Sequence, residues 1–344
     1  MKTKIILPAD PVCLENQVTR RAFLNQSIAM GAAVVAGGGL AHAAAGKKPS
    51  ESAETLVTTL YKSLNEEQKK AMAFPFDHPL RSAVDNNWHI VDQRIGQLLD
   101  ADQQAMVREI FLQIHSEEYR DQVMHQFVSD NRNRKNPSEE AAFASAAVAV
   151  FGEPGQGDFE WVFTGRHCTR RCDGNSVAGA AFGGPIFYGH AADGFNEKPD
   201  HPGNVYWFQA KRANQVFQML DGKQRGKALL EGAGREEQKG KTVTLTGKTS
   251  GLDGLSVSEM SADQKVEMRK VMDDLLAPFR KEDREEAMNL IQAQFDHLHL
   301  AFYKKEDIGD DGVWDVWQVE GPSMVWHFRG SPHVHTWVNV RKGV

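Results

Sequence analysis

The chain has 344 residues, 41% of them hydrophobic and 25% charged, which fits a globular protein and excludes a disordered or collagen-like one. Its formal charge of −6 argues against nucleic acid as a partner, because phosphate binding needs a basic face. Three cysteines cannot build a disulfide scaffold, and beyond the N-terminal stretch no apolar run is long enough to span a bilayer.

Residues 1–45 read as an export signal. Thr19-Arg20-Arg21-Ala22-Phe23-Leu24 is a twin-arginine pattern, Ser27 to Leu40 is an apolar stretch, and Ala41-His42-Ala43 is a small-residue cleavage site. Cleavage near Ala43 leaves roughly 300 residues. It predicts a periplasmic or otherwise exported protein that uses the twin-arginine machinery and has no membrane association afterwards. Export in the folded state raises the expectation of a metal site.

Leu56 to Leu64 and Glu66 to Phe74 read as short amphipathic helices. A clearer helix opens at Asp100, with Met106, Val107, Ile110, Phe111 and Ile114 on one face. A similar segment returns at Ser261-Ala262-Asp263-Gln264, followed by Val266, Met268, Val271, Met272 and Leu275. Arg108 and Arg269 stand five residues after the glutamine of each copy. Arg120 to Met124 matches Arg284 to Met288, and Leu64 to Ala71 resembles Leu220 to Ala228. Each copy ends in a strand segment, with Phe159, Trp161 and Phe163 alternating in one and Trp314, Val316 and Gln318 in the other. The expectation is an α+β fold made of two similar helix-helix-strand halves, a tandem duplication contributing antiparallel strands with helices packed around them. The halves would span 46–210 and 211–344 and form one compact unit. Between them, Gly174 to Gln209 reads as an ordered loop packed on the sheet. Arg235 to Lys248 reads as an exposed loop or short hairpin.

The chemistry lies in the histidines. Ser331-Pro332-His333-Val334-His335 places two imidazoles on one face if the segment is a strand, an arrangement suited to a metal ion. Trp161 to Cys172 reads as a strand entering a hairpin that turns at Asp173-Gly174-Asn175. It carries His167 at the corresponding end of the first half, where it would supply a third nitrogen. His327 is a fourth ligand or an acid–base residue. Arg166, beside Arg170 and Arg171, is a contact for an anionic substrate, with ordinary salt bridges as the competing role. His190, Tyr188, His201 and Trp207 are candidates to line a substrate pocket.

A second His-x-His, His297 and His299, sits among Phe295, Leu298 and Leu300 and reads as part of the core. Cys168 and Cys172 lie roughly 13 Å apart in a continuous strand, too far for a disulfide. A bend would permit one, and thiolate ligation or free buried thiols are equally compatible. Asp307 to Gly312 lacks the ligand pattern of a calcium loop. P-loop, nucleophile-elbow, c-type haem and His-Glu-x-x-His motifs are missing from the sequence.

At these residues the chain resembles a family catalogued as domain of unknown function 3500. That family has a Trp-containing strand running into Gly-His-His, then Pro-x-Phe-x-Gly, a Gln-Gly-Pro strand and Asn-His-Ile-His-Ser. The counterparts here are Trp161 through Gly165-Arg166-His167, then Pro185 to Gly189, Val319 to Pro322, and Pro332 to Thr336. Arg166 replaces the first His of the pair, and His327 stands where the family more often has Glu. The resemblance supports the positions and carries no activity.

From the residues, the expected function is that of an exported metal-dependent enzyme with one transition-metal ion. His167, His333 and His335 would be its ligands and a small polar or anionic molecule its substrate. Copper or iron is favoured, with zinc also compatible, and oxidoreductase chemistry is preferred over hydrolysis. A non-enzymatic ligand- or metal-binding protein is the alternative.

Overall fold

Polar residues stop and start the helices in a pattern visible in the computed structural model, which describes residues 51–191, 201, 203–232, 234–238, 240–304 and 311–343. Helix α1 (Ala53–Ser63) is capped by Ser52 and α2 (Glu66–Met72) by Asn65. After α3 (Ile95–Leu98), α4 (Ala101–Gln113) is capped by Asp100 and leads to α5 (Arg120–Asn131) and α6 (Glu139–Ala144). Farther on, α7 (Trp207–Met219) precedes α8 (Gly222–Ala228), capped by Asp221. Then α9 (Ala262–Leu276), capped by Ser261, leads to α10 (Lys281–Gln292). In α2, α4, α8 and α9 the cap accepts from the backbone N–H of a glutamine three residues on, and that glutamine's side chain accepts from the cap N–H. This reciprocal box satisfies two otherwise orphaned donors.

The strands are β1 (Ala73–Phe74), β2 (Ala147–Gly152), β3 (Phe159–Gly165), β4 (Cys168–Cys172), β5 (Ile186–His190), β6 (Leu229–Leu230), β7 (Leu255–Ser256), β8 (His299–Tyr303), β9 (Val316–Gly321), β10 (Met324–Arg329) and β11 (Val334–Val340). They form an eleven-stranded mixed sheet in the order β1-β2-β3-β4-β5-β11-β10-β9-β8-β6, with β7 also on β8. From either edge the order runs from a short parallel strand (β1 on β2, β6 on β8) through antiparallel strands to the central β5–β11 pair. The cap glutamines repeat this arrangement. Gln68 and Gln103 donate to each other at 2.7 and 3.2 Å, and Gln224 and Gln264 do so at 3.0 and 2.8 Å.

One sheet face carries Trp161, Phe163, Tyr188, Trp317, Trp326 and Phe328 into the helical layer. The other carries Phe151, Val162, Phe187, Val325 and Trp337, covered by Phe74 to Val91 of the first half and by Leu230, Val243 and Leu245 of the second. Because both faces are covered, strands such as β3 and β4 are buried along their whole length.

Several expectations change. Gly174 to Gln209 is not only a loop: it contributes β5, which pairs β11 at the centre of the sheet, and the start of α7. The β3–β4 hairpin turns at Arg166–His167, before the Asp173-Gly174-Asn175 expected from turn propensity. Val266, expected on a buried face, is 53% exposed. The described residues of Arg235 to Lys248 form the largely exposed loop expected, pinned to the sheet where Val243 is buried against Phe187, Val325 and Trp337. Residues 1–45, read as the export signal, lie outside the described residues, as do 305–310. No helix among the described residues is long and apolar enough to cross a membrane.

Candidate metal centre

His167 is the second residue of the tight turn closing β3 onto β4, where Gly165 pairs Cys168. Its φ of 56° lies in the left-handed region, an uncommon place for a residue with a Cβ, at a cost of roughly 1–3 kcal/mol. The turn is pressed against α5: a Cβ on Gly165 would meet the Phe127 ring at 2.9 Å. The His167 N–H donates to Asn86 O at 2.8 Å, which fixes the backbone from the other side.

His335 lies on β11 between Gly189 of β5 and Arg329 of β10, and His333 precedes the strand by one residue. Gly189 is required here, since a Cβ would lie 2.4 Å from Val334 O and 3.4 Å from the His335 ring. The His333 and His335 Nε2 atoms are 3.1 Å apart. The ring centroid of His167 lies 5.0 Å from each of theirs. One nitrogen from each of the three buried rings lies within 4.8 Å of the others. Nitrogen ligands at about 2.0–2.1 Å around a tetrahedral ion lie roughly 3.4 Å apart, so small side-chain rotations close the set.

Two carboxylates orient the rings. His167 Nδ1 is 2.8 Å from Asp130 Oδ2, and His335 Nδ1 is 2.6 Å from Glu237 Oε2. A carboxylate only accepts, so both Nδ1 atoms carry a proton, which leaves each Nε2 as the nitrogen to face an ion. Burial pushes the Asp130 carboxyl up, but the hydrogen bond from His167 and the nearby His190 ring outweigh it and hold the group well below the usual carboxylate range. Glu237 behaves alike: burial raises it, and the His335 hydrogen bond with the charges of His335 and Arg329 brings it down to about 2. Burial holds His335 down to about 3 against the pull of Glu237, so the imidazole is neutral. Imidazoles oriented by buried acceptors are a donor set that suits a transition metal.

The other sequence candidates lie elsewhere. His327 is buried on the sheet face that carries His335, opposite Trp337 and Gln318, and does not join the three-histidine group. Burial holds it down to about 4, and its Nδ1 has no hydrogen-bond partner among the described residues. The Arg166 guanidinium donates to Asp130 O at 3.1 Å and so braces the turn. Arg171 is a structural ion pair with Glu160, and Arg170 donates to Phe187 O inside the core. His190 Nδ1 is 3.6 Å from Asp130 Oδ1, behind His167, and a Cβ on Gly203 would touch both His190 and His201. Tyr188 and Trp207 belong to the helix–sheet core; Tyr188 donates to Gln209 and accepts from Trp326. Cys168 and Cys172 are free, buried thiols on the helical face, which excludes the disulfide and thiolate-ligand readings. His299 Nδ1 faces His297 O, and neither joins the cluster.

Asp130 and Glu237 were missed by sequence reasoning. Asp130 ends a helix and looks like a cap-region acid, while Glu237 sits in a polar stretch with no periodicity.

A family model described as a protein of unknown function, DUF3500, matches residues 46–342. The chain belongs to the DUF3500 family. No curated protein and no solved structure matches it. In this DUF3500 chain a pocket of about 570 Å³ lies between the two covering segments, lined by Asp85, Asn86 and Asn87 on one side and Glu237, Gln238 and Lys241 on the other. Its walls touch the centre from both halves, through the Asn86 carbonyl on His167 and the Glu237 carboxylate on His335.

Proposed function

We propose that this protein is an exported metal-dependent enzyme with one transition-metal ion held by His167, His333 and His335. The observation that carries the reading is the convergence of three buried imidazoles within 4.8 Å, two of them held through Nδ1 by buried carboxylates. Three protein ligands leave a position open, which catalytic sites need and closed structural sites lack. A metal there would supply Lewis-acid or redox chemistry. The chain's own contribution is to aim two of the imidazoles, through Asp130 on His167 and Glu237 on His335, while burial keeps His335 neutral. The pocket beside the centre has only polar and charged lining, which supports a small polar substrate.

Copper or iron and oxidoreductase chemistry are preferred on the strength of the twin-arginine signal. The carboxylate–histidine pairs equally favour zinc and hydrolysis, the second reading. We also infer that the chain arose by tandem duplication. The mirrored strand order and the two Gln–Gln pairs support it, and the centre uses ligands from both halves.

Elemental analysis of protein matured in its native exporter tests the reading. One equivalent of copper or iron is the expected result, and zinc shifts the reading to the hydrolase. A protein that holds no transition metal, and gains none in Tm on adding copper, iron or zinc, would sink the centre. At a hundredfold excess over Kd a bound ion adds about 2.7 kcal/mol of stability.

A further inference from the structure

The centre lies beneath two covering segments that do different things to it. The first-half segment holds His167 through backbone: Asn86 O accepts from the His167 N–H at 2.8 Å, and Asp85 O accepts from the hydroxyl of Thr169, next in the strand. The second-half segment reaches the ligand ring itself. Glu237 Oε2 accepts from His335 Nδ1 at 2.6 Å, while Oε1 accepts from Arg329 Nε at 2.6 Å. Arg329 and His335 are register partners on β10 and β11, so one carboxylate clamps both side chains of a cross-strand pair.

The segment is otherwise closed on itself. Gln238 N donates to Thr242 Oγ1, Thr242 N to Gln238 O and Thr244 N to Lys241 O. Arg235 spans it, donating to Thr242 O and Thr244 O and pairing with Glu320 on β9. Val243 and the bond from Asn339 Nδ2 to Val243 O anchor its far side.

We propose that Glu237 is a positioning residue that makes segment 234–245 part of the metal centre, so that metal binding and segment docking strengthen each other. The inference rests on the three-histidine centre proposed above. A cation on Nε2 draws electron density from the ring and makes Nδ1–H a stronger donor to the carboxylate. Thermodynamic reciprocity then requires that whatever the clamp adds to metal affinity, the metal returns to docking. Loss of such an outer carboxylate costs about 10–100-fold in metal affinity, and the same factor bounds the effect on the segment.

The test follows amide hydrogen exchange of peptides spanning 234–245 in the full mature chain, with and without Zn²⁺, beside zinc titrations of wild type, Glu237→Gln and Glu237→Asp. Zinc should slow exchange in this segment about tenfold or more and leave α4 and α9 unchanged. Glu237→Gln should bind zinc about 10–100-fold more weakly and lose the zinc-dependent protection, and Glu237→Asp should recover part of both. If zinc binds the wild type and exchange in the segment does not change, the coupling is wrong while the centre stands. If Glu237→Gln loosens the segment equally with and without zinc and keeps its affinity, Glu237 is structural only and the proposal fails. If the wild type binds no zinc, copper or iron, the centre falls and this inference with it. The wild-type comparison decides the matter even if Glu237→Gln does not fold.

Discussion

Asp130 accepts a hydrogen bond from His167 Nδ1 at 2.8 Å through Oδ2, while its other oxygen accepts from the Ala191 N–H at 3.1 Å. One buried carboxylate at the end of α5 therefore ties the turn that carries His167 to the end of the central strand β5. Gln126 also donates to Oδ2, from one helical turn earlier. The group is too deeply buried to be a surface acid, and the donors around it offset the cost of burying its charge.

Asp130→Asn should keep the fold and weaken the centre. The amide preserves the shape but offers a weaker acceptor and can present its NH₂ to the ring, which loosens the tautomer of His167. Metal affinity should fall about 10–100-fold, with the far-UV spectrum unchanged. Competition titration against a chromophoric chelator measures it. An unchanged affinity would mean that His167 is not a ligand.

The three histidines that converge were legible because chemistry and spacing coincide in them: His333 and His335 are two apart, and His167 follows the aromatic strand β3. The helices opening at Asp100 and Ser261 were legible from their caps and apolar period. The orienting acids were not, because Asp130 meets His167 across 37 residues and Glu237 meets His335 across 98. Nothing local distinguishes such a contact from a solvated side chain. The turn at His167 was misplaced for a related reason. Turn propensity favours Asp173-Gly174-Asn175, where the chain does turn after β4, whereas the turn between β3 and β4 puts a histidine at positive φ that its tertiary contacts sustain.

The two Gln–Gln pairs give a test of the repeat. Gln103 is buried, with its amide donating to Ser63 O and to Gln68. Gln264 donates equivalently to Met219 O and to Gln224. Gln103→Ala and Gln264→Ala each leave a cap N–H and a partly buried carbonyl without their glutamine partner, a cost of at most about 1–3 kcal/mol. Urea denaturation should show losses of similar size for the two. If one variant is neutral and the other strongly destabilised, the two positions are not structurally equivalent.

Export is tested apart from the site. Replacing Arg20 and Arg21 together with lysine should trap full-length precursor in the cytoplasm, and N-terminal sequencing of the wild-type mature protein should begin at or just after Ala44. Unimpaired export of the double variant removes the twin-arginine signal, and with it the main reason for preferring a redox metal.

The last prediction concerns pH. Arg280 pairs with Glu54 at 2.6 Å and with Asp283 at 3.0 Å, beside Asp173 and Glu286. One guanidinium cannot compensate four carboxyls at the edge of the core. Burial raises Asp283 to about 6 against the pull of Arg280, with Glu54 and Asp173 adding to the rise, and burial with the charges of Asp173 and Asp283 raises Glu286 to about 7. A carboxyl whose folded pKa exceeds its unfolded value binds more protons in the folded state. Its contribution to stability is therefore full below about pH 4 and is lost as pH rises through about 6. Asp283→Asn mimics the protonated form at every pH and leaves Arg280 its partner Glu54. The variant should match wild type near pH 4 and exceed it by on the order of 2 kcal/mol at pH 8, with the difference opening between pH 4 and 6. Thermal or urea denaturation across that range measures it. A variant less stable than wild type at pH 8 would mean that the Arg280–Asp283 pair outweighs the burial of its charge.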